Sequence, residues 1–130
     1  MNNQVRNYAS VSYAILRIVA GLMFFMHGSQ KMFGVPGSEN PVDVTSLMGF
    51  GGMVELIGGG FIALGLFTRA AALLSSGQMA IAYFMVHFGQ HPLPIINKGE
   101  TAVLFCFIFL HICTYGPGIW SIDKLLNQKP

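Results

Sequence analysis

The sequence predicts an all-α polytopic membrane protein, a bundle of four spanning helices with both termini cytoplasmic, and three observations carry that expectation. Of the 130 residues, 53% are hydrophobic and only 9% are charged, a balance too apolar for an ordinary soluble domain. Four apolar segments follow one another, roughly residues 8–33, 46–67, 69–88 and 101–120, each near the ~20 residues that cross a bilayer. Their runs are continuous rather than alternating, so a β-barrel is not indicated and the spans are expected to be helices that satisfy their own backbone. By length, residues 1–130 read as one domain.

The first segment carries Arg17 inside its apolar run, and the run ends Met26-His27-Gly28-Ser29-Gln30-Lys31 with no small-residue cleavage pattern. It is therefore expected to be retained and not removed as a signal peptide. Pro36, Gly37, Ser38, Asn40 and Pro41 then make the stretch Gly34 to Thr45 a loop. The second segment holds Glu55 alone near its centre. Leu66 to Ala70 leaves only a tight hairpin, which makes the second and third helices antiparallel neighbours and Thr68 a candidate N-cap. Gln78 is central in the third segment, and His91-Pro92-Leu93-Pro94 with Asn97-Lys98-Gly99 forms the next loop. The fourth segment ends at Gly116-Pro117-Gly118, followed by Trp120 as an interfacial anchor and Asp123 as a cap or surface charge. Cys106 and Cys113, seven residues apart on that helix, are separated by about 10 Å along its axis, too far for a disulfide, and read as core thiols with no metal site.

A net charge of +2, dispersed along the chain, does not suggest nucleic acid. It does suggest a topology. With four spans, Arg6, Arg69, Lys124 and Lys129 share one side, while Lys31 and Lys98 lie opposite, beside Glu39, Asp43 and Glu100. The basic side is expected to be cytoplasmic.

A carboxylate at the centre of a membrane helix costs about 2.5–3.5 kcal/mol on insertion scales, so Glu55 requires compensation, and Arg17 is the first candidate partner. Glycines 51, 52, 58, 59 and 65 lie within about 80° of the Glu55 direction at roughly 100° per residue, which turns that face toward protein. Arg17, Gly21, Phe24, Gly28 and Lys31 share a face of the first helix; Ala71, Ser75, Gln78, Ala82, Met85 and Gly89 align on the third; Glu100, Leu104, Phe107, His111 and Thr114 align on the fourth. The expectation is a bundle with a polar interior built from Arg17, His27, Lys31, Glu55, Gln78, Glu100 and His111. Two readings of Arg17 and Glu55 stay open, a pair that fixes helix register and a site for a polar head group or a proton. His27 and His87 on facing helices are a conceivable haem ligand pair, but His87 points away from the Gln78 stripe, which disfavours haem.

The succession Leu16-Arg17, His27-Gly28, Lys31-Met32-Phe33-Gly34, Glu55-Leu56-Ile57-Gly58-Gly59, Gly65-Leu66-Phe67-Thr68-Arg69, Gly99-Glu100 and Gly116-Pro117-Gly118 with Ser121 and Asp123 resembles the DoxX family. The resemblance implies a small four-helix protein of the bacterial inner membrane, and some relatives are associated with quinone-linked oxidoreductases, thiosulfate oxidation or oxidative stress. The positions that match its motifs are Arg17, His27, Lys31, Glu55, Arg69 and Glu100. On this basis the chain is expected to bind a quinone or a redox protein partner and to carry no redox centre of its own, with a non-catalytic assembly or solute-permeation subunit as the alternative and a homo-oligomer left open.

Overall fold

The structure is a computed structural model that describes residues 2–37 and 40–127. Ser38 of the first loop, and Glu39 and Lys129 of the charge balance, lie outside the described residues. Among the described residues six α-helices follow in order: α1 (Asn3–Phe33), α2 (Leu47–Leu64), α3 (Thr68–Ala82), α4 (Pro94–Asn97), α5 (Glu100–Tyr115) and α6 (Ile122–Asn127). A π-helical turn, Tyr83–His87, continues α3. There is no strand among the described residues. Three helices among the described residues, α1, α2 and α3 with its π turn, are long and apolar enough to cross a membrane. The 16 residues of α5 extend about 24 Å, short of the ~30 Å hydrocarbon core.

Each end of a long helix has an identifiable cause. Asn2 caps α1 by accepting from the Gln4 amide, and α1 stops where Gly34 adopts a left-handed conformation and its N–H returns to the Gln30 carbonyl. Ser46 caps α2. At the far end Gly65 is left-handed, and the Gly65 and Leu66 amides bond back to the Ile62 and Phe61 carbonyls, a Schellman ending. The start of α3 differs from expectation. Thr68 is its first residue and not its cap, because Phe67 takes the capping position with a left-handed φ of 46° and has no side-chain acceptor to offer. Asp123, from the other end of the chain, supplies both oxygens: one accepts from the Phe67 amide (2.9 Å), the other from the Thr68 amide (2.9 Å) and hydroxyl (2.7 Å). Burial pushes the Asp123 carboxyl up, but those three bonds and the field of Arg17 outweigh it and hold it below the ordinary carboxylate range.

Helix α1 packs antiparallel along α2, α3 along α5, and α2 and α3 meet over a smaller seam. The α1–α2 seam is glycine-made. A Cβ on Gly21 would lie 2.5 Å from the Ala63 nitrogen, and one on Gly28 would lie 2.7 Å from the Gly52 carbonyl, so bare backbones touch there. On the other side of α1, Phe24 packs edge-on to Phe109 at 4.7 Å, and Phe105 stacks on Phe109 at 5.3 Å. Outward, large apolar side chains such as Leu22, Phe50, Ile57, Leu74 and Phe84 are exposed, the arrangement lipid requires.

The face of the fourth long helix departs from the expected one. Ala102, Phe105, Phe109 and Ile112 are buried, whereas Glu100, Leu104, Phe107, His111 and Thr114 are exposed. Aromatic packing onto Phe24, together with the bond from the Ser76 hydroxyl to the Cys106 carbonyl (2.7 Å), determines that rotation. The stripe that carries polar atoms was not the stripe with the best packing shape.

Candidate functional site

Glu55 lies in the third turn of α2, only 2% exposed, on the face that meets α1 and α3. Its Oε1 accepts from the Lys31 ammonium at 2.6 Å and from the Gln78 amide at 3.3 Å, while Gln78 also donates to the Gly51 carbonyl at 3.2 Å. Lys31 sits in the last turn of α1, with 29% of its side chain exposed, so the pair runs from the buried carboxylate toward the end of the bundle where α1 finishes. Oε2 of Glu55, Oε1 of Gln78 and Oγ of Ser75 are buried with no hydrogen-bond partner within the protein. Ser75 is fully buried one turn from Gln78 on α3, against Gly58, where a Cβ would meet its hydroxyl at 2.6 Å.

The expected Arg17–Glu55 pair is not formed. Arg17 is fully buried, yet its guanidinium donates to four backbone carbonyls, those of Ile62 (2.7 Å), Ala63 (2.8 Å), Ile119 (3.3 Å) and Trp120 (2.7 Å). The reason is register. In the antiparallel α1–α2 pair Arg17 stands level with Ile62 and Ala63, seven to eight residues beyond Glu55, or about 11 Å along the axis. Lys31 is the cation at the Glu55 level. Arg17 instead neutralises the C-terminal dipole of α2 and satisfies carbonyls the helix leaves free.

Arg69 does the same for α5, donating to the Cys113 and Thr114 carbonyls at 2.7 Å each and to Tyr115 at 3.3 Å. The Tyr13 hydroxyl donates to the Gly116 carbonyl, and the Asp123 amide to the Gly65 carbonyl. Two arginines, a tyrosine and Asp123 thus fasten residues 113–123 across one end of the bundle. At the opposite end Asn97, 2% exposed, donates to the Tyr83 hydroxyl (3.1 Å) and the His91 carbonyl (2.7 Å) and accepts from the Gly99 amide (2.8 Å). This network shapes the turn between α3 and α5 and holds the His87 ring at 3.1 Å from the Asn97 carbonyl.

Of the residues named from sequence, the structure therefore brings together Lys31, Glu55 and Gln78. Arg17 is elsewhere. His27 is exposed, edge-on to Phe105, in a separate cleft of about 200 Å³ with Met23, Met26 and Gln30. Glu100 and His111 are exposed on the outer face of α5. Ser75 belongs to the cluster and was noticed only as one of a stripe; its neighbour across the seam, Gly58, was the clue, since a hydroxyl facing a glycine can enter the interface. Beside the cluster, an apolar groove of about 340 Å³ opens between α2 and α3, lined by Phe50, Val54, Ile57, Phe61, Leu74 and Ser75 among others.

Comparison with known proteins places this geometry in a family setting. The DoxX family model matches residues 12–88, which include Arg17, Lys31, Glu55, Ser75 and Gln78. A protein of Haemophilus influenzae is 36% identical over 98% of this chain and 99% of its own length. The inner membrane protein YqjF of Escherichia coli is 29% identical over 96% of this chain and 99% of its own. CatD of Bacillus subtilis, whose descriptive name includes the word oxidoreductase, is 26% identical over 86% of this chain and 84% of its own. No solved structure matches the chain significantly.

Proposed function

The chain belongs to the DoxX family, small integral-membrane proteins of the bacterial inner membrane, and from that premise we propose that it is the quinone-binding subunit of a membrane oxidoreductase system. The observation that carries this reading is a buried carboxylate, Glu55, bridged by Lys31 to the bundle end and lying beside a groove open to lipid. A quinone reaches its site through the membrane, needs polar contacts at its ring, and exchanges protons when reduced or oxidised; the Lys31–Glu55 pair offers both contact and proton transfer. Electrons come from a partner redox protein. The name of the Bacillus relative points the same way.

The measurement is calorimetry on lipid-depleted protein in detergent, titrated with a short-chain quinone in its oxidised and its reduced form. Saturable heat is expected with at least one form. Lys31→Met, which removes a charged partner from the site, is expected to weaken binding about 5- to 100-fold, the scale of one hydrogen bond of about 1–3 kcal/mol. His27→Ala, in the separate cleft, is expected to leave affinity unchanged. Absence of saturable heat with both forms removes this reading.

A non-catalytic assembly or permeation subunit is the second reading, favoured by the way Arg17, Arg69 and Asp123 are all spent on helix ends. For either reading we propose four crossings, the last made by α5 with the segment after it, and cytoplasmic termini. Arg6, Arg69 and Lys124 belong to one end of the bundle and Lys31 and Lys98 to the other. A C-terminal reporter is expected to be active only as a cytoplasmic fusion; periplasmic activity reverses the orientation.

A further inference from the structure

His27 has an environment of its own, away from the polar cluster. Its neighbour Gly28 abuts the Leu56 and Gly52 backbone of α2, so His27 lies at about the depth of Glu55, yet its side chain is exposed. Among the described residues the His27 ring has no hydrogen-bond partner, unlike the rings of His87 and His91. Hydrocarbon offers it none either, and an unpaired imidazole facing lipid is costly. The cleft of about 200 Å³ beside it is lined by Met23, Met26, Gln30 and Pro36. Met23 lies three residues before Met26 and four before His27, spacings that set Cβ atoms about 5–6 Å apart on a helix surface. Unbranched thioethers turn their sulfurs without backbone movement. Phe105 of α5 stands edge-on to the imidazole at 6.0 Å and supports it from one side. The Gln30 amide donates to the Pro36 carbonyl at 3.0 Å, which ties the segment after α1 to the cleft.

One imidazole and two thioethers thus share one small cleft, and all three donors are neutral. Thioether sulfur favours Cu(I), and imidazole suits copper as well. A divalent ion would bring two charges into a low-dielectric setting with no thiolate or carboxylate against them. Among the described residues no group of three or more His, Cys, Asp or Glu side chains is placed to hold such an ion. The charge of Lys31, one turn beyond His27, is matched by Glu55 at 2.6 Å, so no unpaired cation faces the cleft. We propose that Met23, Met26 and His27 form a binding site for one soft monovalent cation, Cu(I), held by two thioether sulfurs and an imidazole nitrogen. The ion gives the ring the partner that lipid withholds. This site does not depend on the quinone reading and uses none of the residues around Glu55.

Anaerobic titration of the purified protein with Cu(I) against a colorimetric Cu(I) chelator tests it. One Cu(I) per chain is expected to be retained, with both sulfur and nitrogen neighbours in its X-ray absorption spectrum. Met26→Leu conserves volume while removing a sulfur, and His27→Ala removes the nitrogen. Both side chains are exposed, so both variants are expected to keep wild-type helicity and elution volume. Each is expected to weaken Cu(I) binding about tenfold or more, the least that loss of even an outer-shell partner costs a metal site. Met53→Leu, on the exposed face of α2, is the control expected to bind as wild type does. Failure of the wild-type protein to retain Cu(I) overturns the site. Retention undiminished in well-folded Met26→Leu and His27→Ala, or lost instead in Cys106→Ala or Cys113→Ala, overturns its placement. A spectrum without sulfur overturns the thioether ligands.

Discussion

Arg17→Ala is expected to destabilise the protein by about 4 kcal/mol or more, because each buried carbonyl stripped of its donor costs about 1–3 kcal/mol and Arg17 serves four of them. Two of these are the last-turn carbonyls of α2, and the other two belong to the segment that crosses the bundle end, so one truncation loosens both attachments. Lysine is a poor replacement, since a single ammonium cannot reproduce a planar fork aimed at two separate stretches of backbone. The measurement is reversible unfolding in mixed detergent micelles, with Arg6→Ala on the exposed end of α1 as a control expected to stay within about 0.5 kcal/mol. A double-mutant cycle of Arg17→Ala with Glu55→Gln separates this account from a direct ion pair. Lying about two turns apart, the residues should show coupling of no more than about 0.5 kcal/mol. Coupling well above 1 kcal/mol would sink the register described here.

That register explains where the sequence was readable and where it was not. Isolated charges in apolar runs correctly drew attention to Arg17 and Glu55, because burying either requires compensation. The identity of the compensating group was hidden, for it depends on how far α1 slides along α2. Counting inward from expected helix ends left Arg17 and Glu55 within reach, whereas the glycine contacts set them apart and matched Glu55 to Lys31. Backbone carbonyls as partners of Arg17 leave no mark in sequence at all. Asp123 presents the same difficulty: its role at α3 needs a contact across 55 residues of chain, and only its carboxylate chemistry was visible. The rotation of α5 failed to be read for another reason. A 3.6-residue period identifies a polar stripe, but in lipid a polar stripe near a helix end is tolerated at the interface, and Phe105 and Phe109 fit the core better than His111 does. The first helix was read well, since Arg17, Gly21, Phe24 and Gly28 are all buried and their common face combined charge with small residues.

Gly59→Val is expected to cost about 3 kcal/mol or more, at the upper end of over-packing, because the obstacle it meets is backbone and not a flexible side chain. A Cβ at Gly59 would press on the Phe25 nitrogen and lie 2.7 Å from the Gly21 carbonyl, and neither can move without carrying α1 with it. Glycines 21 and 28 on one helix and 52 and 59 on the other each stand seven residues apart, so the two backbones touch twice along the seam. The same seam holds the Arg17 bonds to α2 and the Lys31–Glu55 bridge, and separating the helices stretches both. Gly59→Val should therefore lose ligand affinity as well as stability, although position 59 is absent from the polar cluster. Gly77→Ala is the internal comparison: its Cβ would meet nothing within 4 Å, and replacing a mid-helix glycine should gain about 0.5–1 kcal/mol with no change at the site. Unfolding in mixed micelles and cross-linking of cysteine pairs placed across the α1–α2 seam measure the two effects separately. Wild-type stability and wild-type cross-linking in Gly59→Val would mean that the helices are not held in backbone contact, and with that the matching of Lys31 to Glu55 would lose its structural basis.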